Sequence, residues 1–566
     1  MLPFLLQYGC DVPLSGQRLG GYVPQAGDEI TFNLAFIIMS ICIDVHLLSG
    51  KHASVEVETD ASVESLKRRA QSALVVPSRG RLLNSSGEVL DGAQTVTEAK
   101  LTSGDVLTLH VNQVQLQATK DYAGFAALLG HGSVATWGRA GCGGDSSAVQ
   151  EQLRDVQQIQ TSEYAFAAVI CDGSVVTWGN GRFGGNCSAV QEQLRDVQQI
   201  QASFGAFAAI LGDGSVVTWG NPFYGGDCSA VQDQLKNVQQ IQASFEAFAA
   251  ILGDGSVVTW GDANHGGDSR RVQHQLKNVQ QIQASHRAFA AILHDGSVVT
   301  WGDADYGGDS SAVQDQLRDV QQIQASDDAF AAILRDGSVV TWGNGRFGGD
   351  SSAVEDQLRD VQQIQASHQA FAAILGDRSV VTWGNGYSGG DCSAVQDQLR
   401  DVQQIQASGH AFAAILGDGS VVTWGSAGYG GDSSAVRDQL RDVQQIQASK
   451  NAFAAILGDG SVVTWGNALY GGDSRAVRDQ LRDVQQIQAS CGAFAAILGD
   501  GSVVTWGNDY SGGDSSAVQV QDVPALLTCQ DGHPEAINVQ QVTRYNAERQ
   551  SAIGMMSWAK GAHPYW

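Results

Sequence analysis

Apolar and polar positions recur along most of this chain with a period of 41 residues. In each copy, "VQQIQAS" partly alternates polar and apolar residues, and the runs "AFAAIL" and "SVVTWG" are almost wholly apolar. Alternation and short apolar runs are both typical of β-strands, so each copy predicts three strands. Ten copies span about residues 111–516. Each contains a Trp-Gly pair, with tryptophan at positions 137, 178, 219, 260, 301, 342, 383, 424, 465 and 506.

The dipeptide Asp-Gly separates the two apolar runs in eight copies. Asp-Gly in this context is typical of a β-hairpin with a type I′ turn, in which both central residues have positive φ. In the third copy, a turn at Asp213-Gly214 predicts three cross-strand pairs, each sharing one face of the sheet. These pairs are Leu211 with Val216, Ala209 with Thr218, and Ala208 with Trp219. Copy seven has Asp377-Arg378 instead, and we expect Arg378 to strain that turn and alter the hairpin.

The predicted hairpin is largely apolar on both faces, so both faces should be covered. A small sheet packed between two copies of itself satisfies this, as in a propeller blade or a stacked solenoid. We therefore predict a mainly β protein, with a ten-repeat β-propeller-like ring of three- to four-stranded blades at residues 112–516. The tryptophans then belong to the core rather than to a ligand cage. The period leaves three arrangements open: one ten-blade ring, seven plus three blades, and an open spiral.

The segment "GGDSSAVQDQLRD" follows the hairpin. Its serine before Ala-Val-Gln predicts a short capped helix with Gln as the capping-box partner, and a short fourth strand is the alternative. Nine copies have Asp after Gly-Gly, and the second copy has Asn186. The spacing is unlike that of a multi-ligand calcium loop, so we assign these residues to turns or caps and predict no metal site.

The pattern Gly-x-Gly-x-x-Gly at residues 343–348 follows an apolar run, as in a dinucleotide-binding loop. It occurs in three of the ten copies, always at the same place in the repeat. The context supplies no parallel βαβ unit. We interpret it as the glycine-rich loop of a repeat, and predict no nucleotide or other cofactor.

The copies differ mainly at two places, the pair before the conserved Ala-Phe and the four residues after Trp-Gly. If the first strand runs up, both places lie at the top of the sheet, and we call them together the variable edge. Recognition residues commonly lie in loops on a rigid scaffold, and aromatic residues and arginine are favoured at interfaces. Sequence drift in unconstrained loops is the alternative. The predicted partner-binding residues are Tyr164, Arg182, Phe183, Phe204, Phe223, Tyr224, Phe245, His265, His286, Arg287, Tyr306, Asp327, Asp328, Arg346, Phe347, His368, Tyr387, His410, Tyr429, Lys450, Tyr470 and Tyr510.

The composition narrows the classes of partner. The 566 residues imply more than one domain, and a formal charge of −26 disfavours direct nucleic-acid binding and favours a basic protein partner. Nine cysteines without a C-x-x-C pair indicate reduced thiols, and hence a cytoplasmic or nuclear protein. The apolar run 30–43 has 14 residues, whereas a membrane span needs about 20. We therefore expect no membrane span, and residues 1–40 are an extension of unknown structure.

Residues 41–111 carry a different pattern, a hairpin followed by a helix and two further strands. Ser62 or Asp60 can cap the helix. Its apolar positions are Val63, Leu66, Ala70, Ala73 and Leu74. This region resembles ubiquitin: "LLSGK" is similar to its first turn, "RLLNSSGEVLD" to its middle strands and "LTLHV" to its last strand.

The resemblance to ubiquitin implies a small α+β (β-grasp) domain. It places ubiquitin's apolar recognition patch at Leu48, Leu83 and His110, where His110 departs from ubiquitin's valine. The terminal Gly-Gly is absent, so we expect no conjugation to substrates. Two roles stay open for this domain: binding a partner of the ubiquitin system, or capping the propeller.

The stretch "AFAAILGDGSVVTWGNPFYGG" (206–226) resembles the repeat of the regulator of chromosome condensation family, which implies a β-propeller. The shorter 41-residue unit is more similar to the three-stranded blades of a bacterial β-lactamase-inhibitory propeller. The regulator family includes a nucleotide exchange factor for a small GTPase and propellers attached to HECT-type ubiquitin ligases. The inserted wedge needed for exchange has no counterpart in the unbroken period.

No catalytic motif stands out, and the tail at 517–566 is shorter than a HECT domain, so we interpret Cys529 as an ordinary thiol. We expect a monomeric, non-enzymatic scaffold that binds a protein. The alternatives are a substrate-recognition component of the ubiquitin system and a small-GTPase regulator.

Overall fold

The computed structural model describes residues 40–47, 51–74, 80–110, 114–119, 124–130 and 132–516. These residues form a small α+β domain and ten three-stranded antiparallel sheets. The mainly β class predicted from the sequence is confirmed. Leu48, Cys529 and the two terminal extensions up to residue 39 and from residue 517 lie outside the described residues.

The N-terminal domain is a four-stranded sheet packed on one helix. Its elements are β1 (Ser40–His46), β2 (His52–Glu58), α1 (Val63–Leu74), β3 (Arg81–Leu83) and β4 (Val106–His110). The strand order is β2-β1-β4-β3, with β1 parallel to β4 and the other pairs antiparallel. A parallel central pair crossed by one helix is the β-grasp arrangement, as the resemblance to ubiquitin implies.

The helix α1 begins and packs as its sequence indicates, with one exception. The Ser62 hydroxyl accepts a hydrogen bond from the Ser65 amide at 3.2 Å, so Ser62 and not Asp60 caps the helix. Val63, Leu66, Ala70 and Leu74 are buried against the sheet. The prediction for Ala73 is wrong, because it is exposed, whereas Gln71 is buried.

Each of the ten sheets consists of three strands that are consecutive in the chain. We call these sheets blades and number them 1 to 10 in chain order. The first strands are Gln115–Ala118, Val156–Thr161, Val197–Ala202, Val238–Ala243, Val279–Ala284, Val320–Ala325, Val361–Ala366, Val402–Ala407, Val443–Ala448 and Val484–Ala489. The second strands are Gly124–Leu128, Ala165–Ile170, Ala206–Leu211, Ala247–Leu252, Ala288–Leu293, Ala329–Leu334, Ala370–Leu375, Ala411–Leu416, Ala452–Leu457 and Ala493–Leu498. The third strands are Val134–Gly138, Val175–Gly179, Val216–Gly220, Val257–Gly261, Val298–Gly302, Val339–Gly343, Val380–Gly384, Val421–Gly425, Val462–Gly466 and Val503–Gly507.

The hairpin register differs by one residue from the prediction. In blade 3 the Gly214 amide donates to the Leu211 carbonyl and the Leu211 amide donates to the Ser215 carbonyl, both at 2.9 Å, so the loop has three residues. Only the third, Gly214, has positive φ (+76°), which is the glycine position of a three-residue hairpin with a G1 bulge. The type I′ turn and its three pairs are therefore wrong. The observed pairs are Ile210 with Val216, Ala209 with Val217, Ala208 with Thr218, and Phe207 with Trp219.

Blade 7 keeps the same hairpin although arginine replaces the glycine. Arg378 adopts φ +64°, and Ile374 still pairs with Val380. The expectation of an altered hairpin is therefore wrong. Because the scaffold holds the register, the cost of the left-handed conformation falls on Arg378 alone.

After the third strand the chain forms short 3₁₀ helices and no fourth strand in the described residues. The expected capping box is absent: the serine directly before Ala-Val-Gln, Ser147 in blade 1, is already the first residue of the helix, and the cap residue Ser146 makes no side-chain bond to a helix amide. Gln150 instead bridges two segments, accepting from the Ser146 hydroxyl at 2.8 Å and donating to the Val134 carbonyl at 2.8 Å. The turn role predicted for the aspartates is confirmed, as Asp227 accepts from the Ser229 amide at 2.9 Å.

Two unlike faces of successive blades form the core. Phe207, Trp219 and Val217 of blade 3 pack on Ala165 and Ala167 of blade 2, and every member of this cluster is almost fully buried. The opposite face of blade 3 receives the phenylalanine and tryptophan of blade 4 in the same way. The tryptophans are thus core residues, as predicted, and small alanines on one face make room for large rings on the next.

The ten blades close into one ring. The first strand of each blade contacts the first strands of both neighbours, and that of blade 10 contacts that of blade 1. At this seam Phe125 and Trp137 pack on Ala493, Ala495 and Ile497. The Trp137 indole N–H donates to the Gly512 carbonyl at 3.1 Å, which is the bond that every other blade makes to its predecessor. Of the three arrangements left open by the sequence, the closed ring is the one formed.

Candidate functional site

The two variable segments of each blade lie side by side at one end of the sheet. In blade 3 the Asn221 amide, directly after the third strand, donates to the Gly205 carbonyl, directly before the second strand, at 2.9 Å. Equivalent bonds occur in blades 2 to 10. The variable edge is therefore one continuous surface, at the end of the blades opposite the hairpin turns.

A series of backbone hydrogen bonds joins the variable edge of each blade to that of the next, from blade 2 to blade 10. The Glu163 amide donates to the Phe204 carbonyl at 3.1 Å, and the Phe204 amide donates to the Phe245 carbonyl at 3.0 Å. The same bond repeats at 41-residue steps as far as Lys450 and Cys491. These bonds use only backbone groups. Any side chain can therefore occupy the first position of the variable pair while the spacing of the blades stays constant.

The short helix after each third strand holds its side chains in two fixed directions. In blade 3 the Asn221 side chain caps Pro222–Tyr224 by accepting from the Phe223 amide at 3.0 Å, and Gly225, at φ +87°, ends it. The side chain of Phe223 is 77% exposed, whereas Tyr224 lies half-buried beside the neighbouring blade. The third residue after Trp-Gly therefore points outward and the fourth points back to the ring.

The outward position carries the exposed apolar side chains of the ring. Phe223, Tyr387, Leu469 and Tyr510 are 62–82% exposed, and within the described blades they are the large apolar residues with such exposure. Arginines take the same position in blades 2 and 6, at Arg182 and Arg346, and both are exposed. Strongly exposed apolar side chains that recur at one structural position are typical of an interaction surface.

Many of the other predicted partner-binding residues are packed on each other. In blades 2 to 5 they form an aromatic row in which neighbouring rings lie 4.2–6.4 Å apart. Its members are Tyr164, Phe183, Phe204, Tyr224, Phe245, His265, His286 and Tyr306. A second group around His410 includes Tyr387, Tyr429 and His368. These rings shape and stiffen the edge, and offer a partner less surface than their residue types indicate.

Several titratable residues of the edge in blades 5 to 8 interact closely with one another. Asp327 and His368 are buried, and the Oδ2 of Asp327 lies 2.7 Å from the Nδ1 of His368. Burial and the neighbouring Asp327 raise the pKa of Asp328 to about 7. The Arg287 guanidinium lies 4.8 Å from the ring centre of Tyr306. Burial, aided by His368 and Lys450, lowers the pKa of His410 to about 4, so its imidazole is neutral at physiological pH.

The remaining predicted residues occupy less distinctive places. Phe347, Lys450 and Tyr470 are half-buried on the same edge. In the N-terminal domain Leu83 is half-buried on β3, and His110 ends β4 opposite Arg81. The exposure of Val89 and Val106 in this domain could not be predicted from the sequence, because an exposed valine has no pattern of its own there.

The fold and the edge together define the class of molecule. It is a closed β-propeller of nearly identical blades that vary mainly along one rim, preceded by a β-grasp domain. No described helix is long and apolar enough to cross a membrane.

Comparisons with known proteins add the following. The model of the ubiquitin family matches residues 41–114, so the N-terminal domain is ubiquitin-like. Prp20p of Saccharomyces cerevisiae is 15% identical, over 48% of this chain and 83% of that chain, with a TM-score of 0.29. The CRINKLY WD40 ectodomain of the Arabidopsis thaliana receptor kinase ACR4 is 16% identical, over 48% and 97%, with a TM-score of 0.28. The UBL domain of Plasmodium falciparum Dsk2 is 24% identical, over 12% and 96%, with a TM-score of 0.12. No curated protein matches the chain.

Proposed function

We propose that this protein is a non-enzymatic scaffold that binds a protein partner through its variable edge. The observation that carries the proposal is the outward position of the short helices, where Phe223, Tyr387, Leu469 and Tyr510 are exposed while the blades beneath them stay constant. Exposed aromatic anchors on a rigid backbone are favourable for binding, because little side-chain and loop entropy is lost when they are covered.

The charge of the chain favours a basic partner. A net charge of −26 attracts positively charged proteins and repels nucleic-acid phosphates. In this proposal the partner presents apolar side chains flanked by lysine or arginine. No disulfide joins the cysteines in the part of the chain that the structure describes, in keeping with a protein that acts in the cytoplasm or nucleus.

The experiment compares partner capture by the full chain and by an edge variant. The variant carries Phe223→Gly, Tyr387→Gly, Leu469→Gly and Tyr510→Gly, and glycine suits this position because blades 1 and 8 have Gly141 and Gly428 there. The matched control carries four changes at exposed aspartates away from the edge, Asp315→Asn, Asp397→Asn, Asp438→Asn and Asp479→Asn.

Quantitative mass spectrometry identifies proteins captured by the natural chain and by the control but lost from the edge variant. For such a partner we expect the Kd to rise at least about tenfold in the edge variant, since each lost anchor costs on the order of 1 kcal/mol or more. Equal capture by all three proteins would refute edge binding and leave the variation as drift.

The ubiquitin-like domain supports a second candidate, recognition within the ubiquitin system. The family match at residues 41–114 favours it, as does the place of Leu83 on β3 beside the exposed Val89. The natural full chain and the full chain carrying Leu83→Glu are compared for binding to a panel of ubiquitin-binding domains. Loss of binding in this variant, with binding retained in the edge variant, would assign the partner to the N-terminal domain. No binding by the natural chain would rule this candidate out.

A further inference from the structure

Blade 4 combines three metal-ligating residue types at the variable edge, a combination that the other blades lack. It places Glu246 before the second strand, Asp262 at the cap of the short helix and His265 at the inward position of that helix. In six other blades the inward position holds phenylalanine or tyrosine. Histidine therefore replaces a half-buried aromatic ring in the same blade that places two carboxylates around this position.

The three side chains converge on one point. The Nδ1 of His265 lies 2.9 Å from the Oδ1 of Asp262 and 3.2 Å from the Oε2 of Glu246, and the three atoms all lie within 4.8 Å of each other. Zinc bonds of about 2.0–2.1 Å to nitrogen and oxygen, at tetrahedral angles, separate ligand atoms by about 3.3 Å. Small side-chain movements would bring these three atoms to that geometry.

The backbone beneath the group is rigid. The Asp262 amide donates to the Glu246 carbonyl at 2.9 Å, and the Ser244 hydroxyl donates to the His265 carbonyl at 2.7 Å. The His265 side chain is 10% exposed, and those of Glu246 and Asp262 are 21% and 30% exposed. The ligands are thus held from below while one side opens to solvent, which leaves room for a water as fourth ligand.

We propose that Glu246, Asp262 and His265 form a zinc site on the edge of blade 4. One imidazole nitrogen, two carboxylate oxygens and a water make a four-coordinate set of the kind Zn²⁺ accepts. The metal replaces the hydrogen on Nδ1, which leaves as a proton or is carried by Nε2 in the other tautomer. The two carboxylates cancel the charge of the ion, so the site with a neutral imidazole is itself neutral when Zn²⁺ is bound.

Blade 9 supplies a matched control, because it has the same backbone bond, from the Asn467 amide to the Asn451 carbonyl, with no acidic or histidine ligands. The site is removed from the full chain by Glu246→Asn, Asp262→Asn and His265→Tyr, the residues that blade 9 uses. It is transplanted to blade 9 by Asn451→Glu, Asn467→Asp and Tyr470→His. All proteins keep the same cysteines and other histidines, so background zinc cancels in the comparison.

The measurement is equilibrium dialysis against micromolar Zn²⁺, followed by metal analysis, with circular dichroism as the check on folding. We expect the removal variant to bind one Zn²⁺ fewer per chain than the natural protein, and the transplant variant to bind one more. Equal zinc content in all folded proteins would overturn the proposal. If the removal variant fails to fold, the transplant alone decides: one additional Zn²⁺ supports the site, and no gain refutes it.

Discussion

In each blade the phenylalanine of the second strand stacks on the tryptophan of the third strand. The rings of Phe207 and Trp219 lie 5.3 Å apart and nearly parallel, and the Trp219 indole donates to the Gly184 carbonyl of the preceding blade at 3.0 Å. The sequence predicts that the tryptophan is buried, because it repeats within an apolar run. The sequence does not predict the partner of this ring. The hairpin loop has one residue more than expected, which moves the third strand by one position, so Phe207 lies opposite the indole in place of Ala208.

Asp328 is the residue at which the edge should respond to pH. Its folded-state pKa of about 7 exceeds the value of about 3.9 for an unperturbed aspartate, so the folded protein keeps a proton that the unfolded chain loses. This contribution to stability is fully present below about pH 4 and is lost as the pH rises through about 7. Asp328→Asn cannot ionise and keeps its neutral state.

We therefore expect Asp328→Asn to unfold at a higher urea concentration than the natural protein at pH 8, and the difference to shrink towards pH 4. The groups facing Asp328 are Asp327, Gln369, His368 and Arg287, and each is unchanged in the variant. Asp315→Asn, at a fully exposed position, is the control and should show no such trend. A variant that is equally stable or less stable at pH 8 would contradict the raised pKa.

At the scale of the element, the hairpin of blade 7 has arginine at a position where the other nine blades have glycine. Arg378 occupies a left-handed position that glycine fills in the other blades, and its Nη1 lies 3.0 Å from the Asp401 Oδ1. That ion pair is exposed and contributes little. The strain of a non-glycine residue at positive φ amounts to about 1–2 kcal/mol.

We expect Arg378→Gly to be more stable to urea than Arg378→Ala by about 1 kcal/mol, because both lose the ion pair and only glycine relieves the backbone. The comparison of these two variants removes the contribution of Asp401. If Arg378→Ala is as stable to urea as Arg378→Gly, or more stable, this turn differs from its nine counterparts.

Strands and turns differ in how far sequence predicts them. All three strands of the blade follow from apolar runs and partial alternation, and α1 follows from helical spacing. The short 3₁₀ helices of the edge cannot be predicted in this way, because a single turn has too few residues to show a period. Their outward and inward positions are set by the cap of Asn221 and the turn at Gly225, so the exposure of Phe223 could be known only from the structure.

At the scale of the whole molecule, the ring depends on a small rotation between blades that adds up over ten steps. A repeat period contains no measure of that rotation, which is why closure could not be predicted. At the seam between blades 10 and 1, a phenylalanine and a tryptophan pack on alanines and the indole makes the same hydrogen bond, as at the other interfaces. The variable edge is therefore continuous from blade 2 to blade 10 on a closed scaffold.

Closure can be tested by comparing two tryptophans. Trp137 donates across the seam to Gly512 at 3.1 Å, and Trp260 donates within the ring to Gly225 at 3.0 Å. We expect Trp137→Phe and Trp260→Phe to lower the stability to urea by similar amounts, on the order of 1 kcal/mol each for the lost hydrogen bond. If Trp137→Phe leaves the stability to urea nearly unchanged while Trp260→Phe lowers it, the blades form an open spiral.

The central claim is that the variable edge, and no other face of the propeller, meets the partner. Hydrogen–deuterium exchange of the full chain, with and without a partner captured as described above, tests it most directly. We expect protection of the short helices that carry Tyr387, Leu469 and Tyr510, with unchanged exchange at hairpin turns such as 212–214. Protection of the hairpin turns with an unchanged edge would contradict the account.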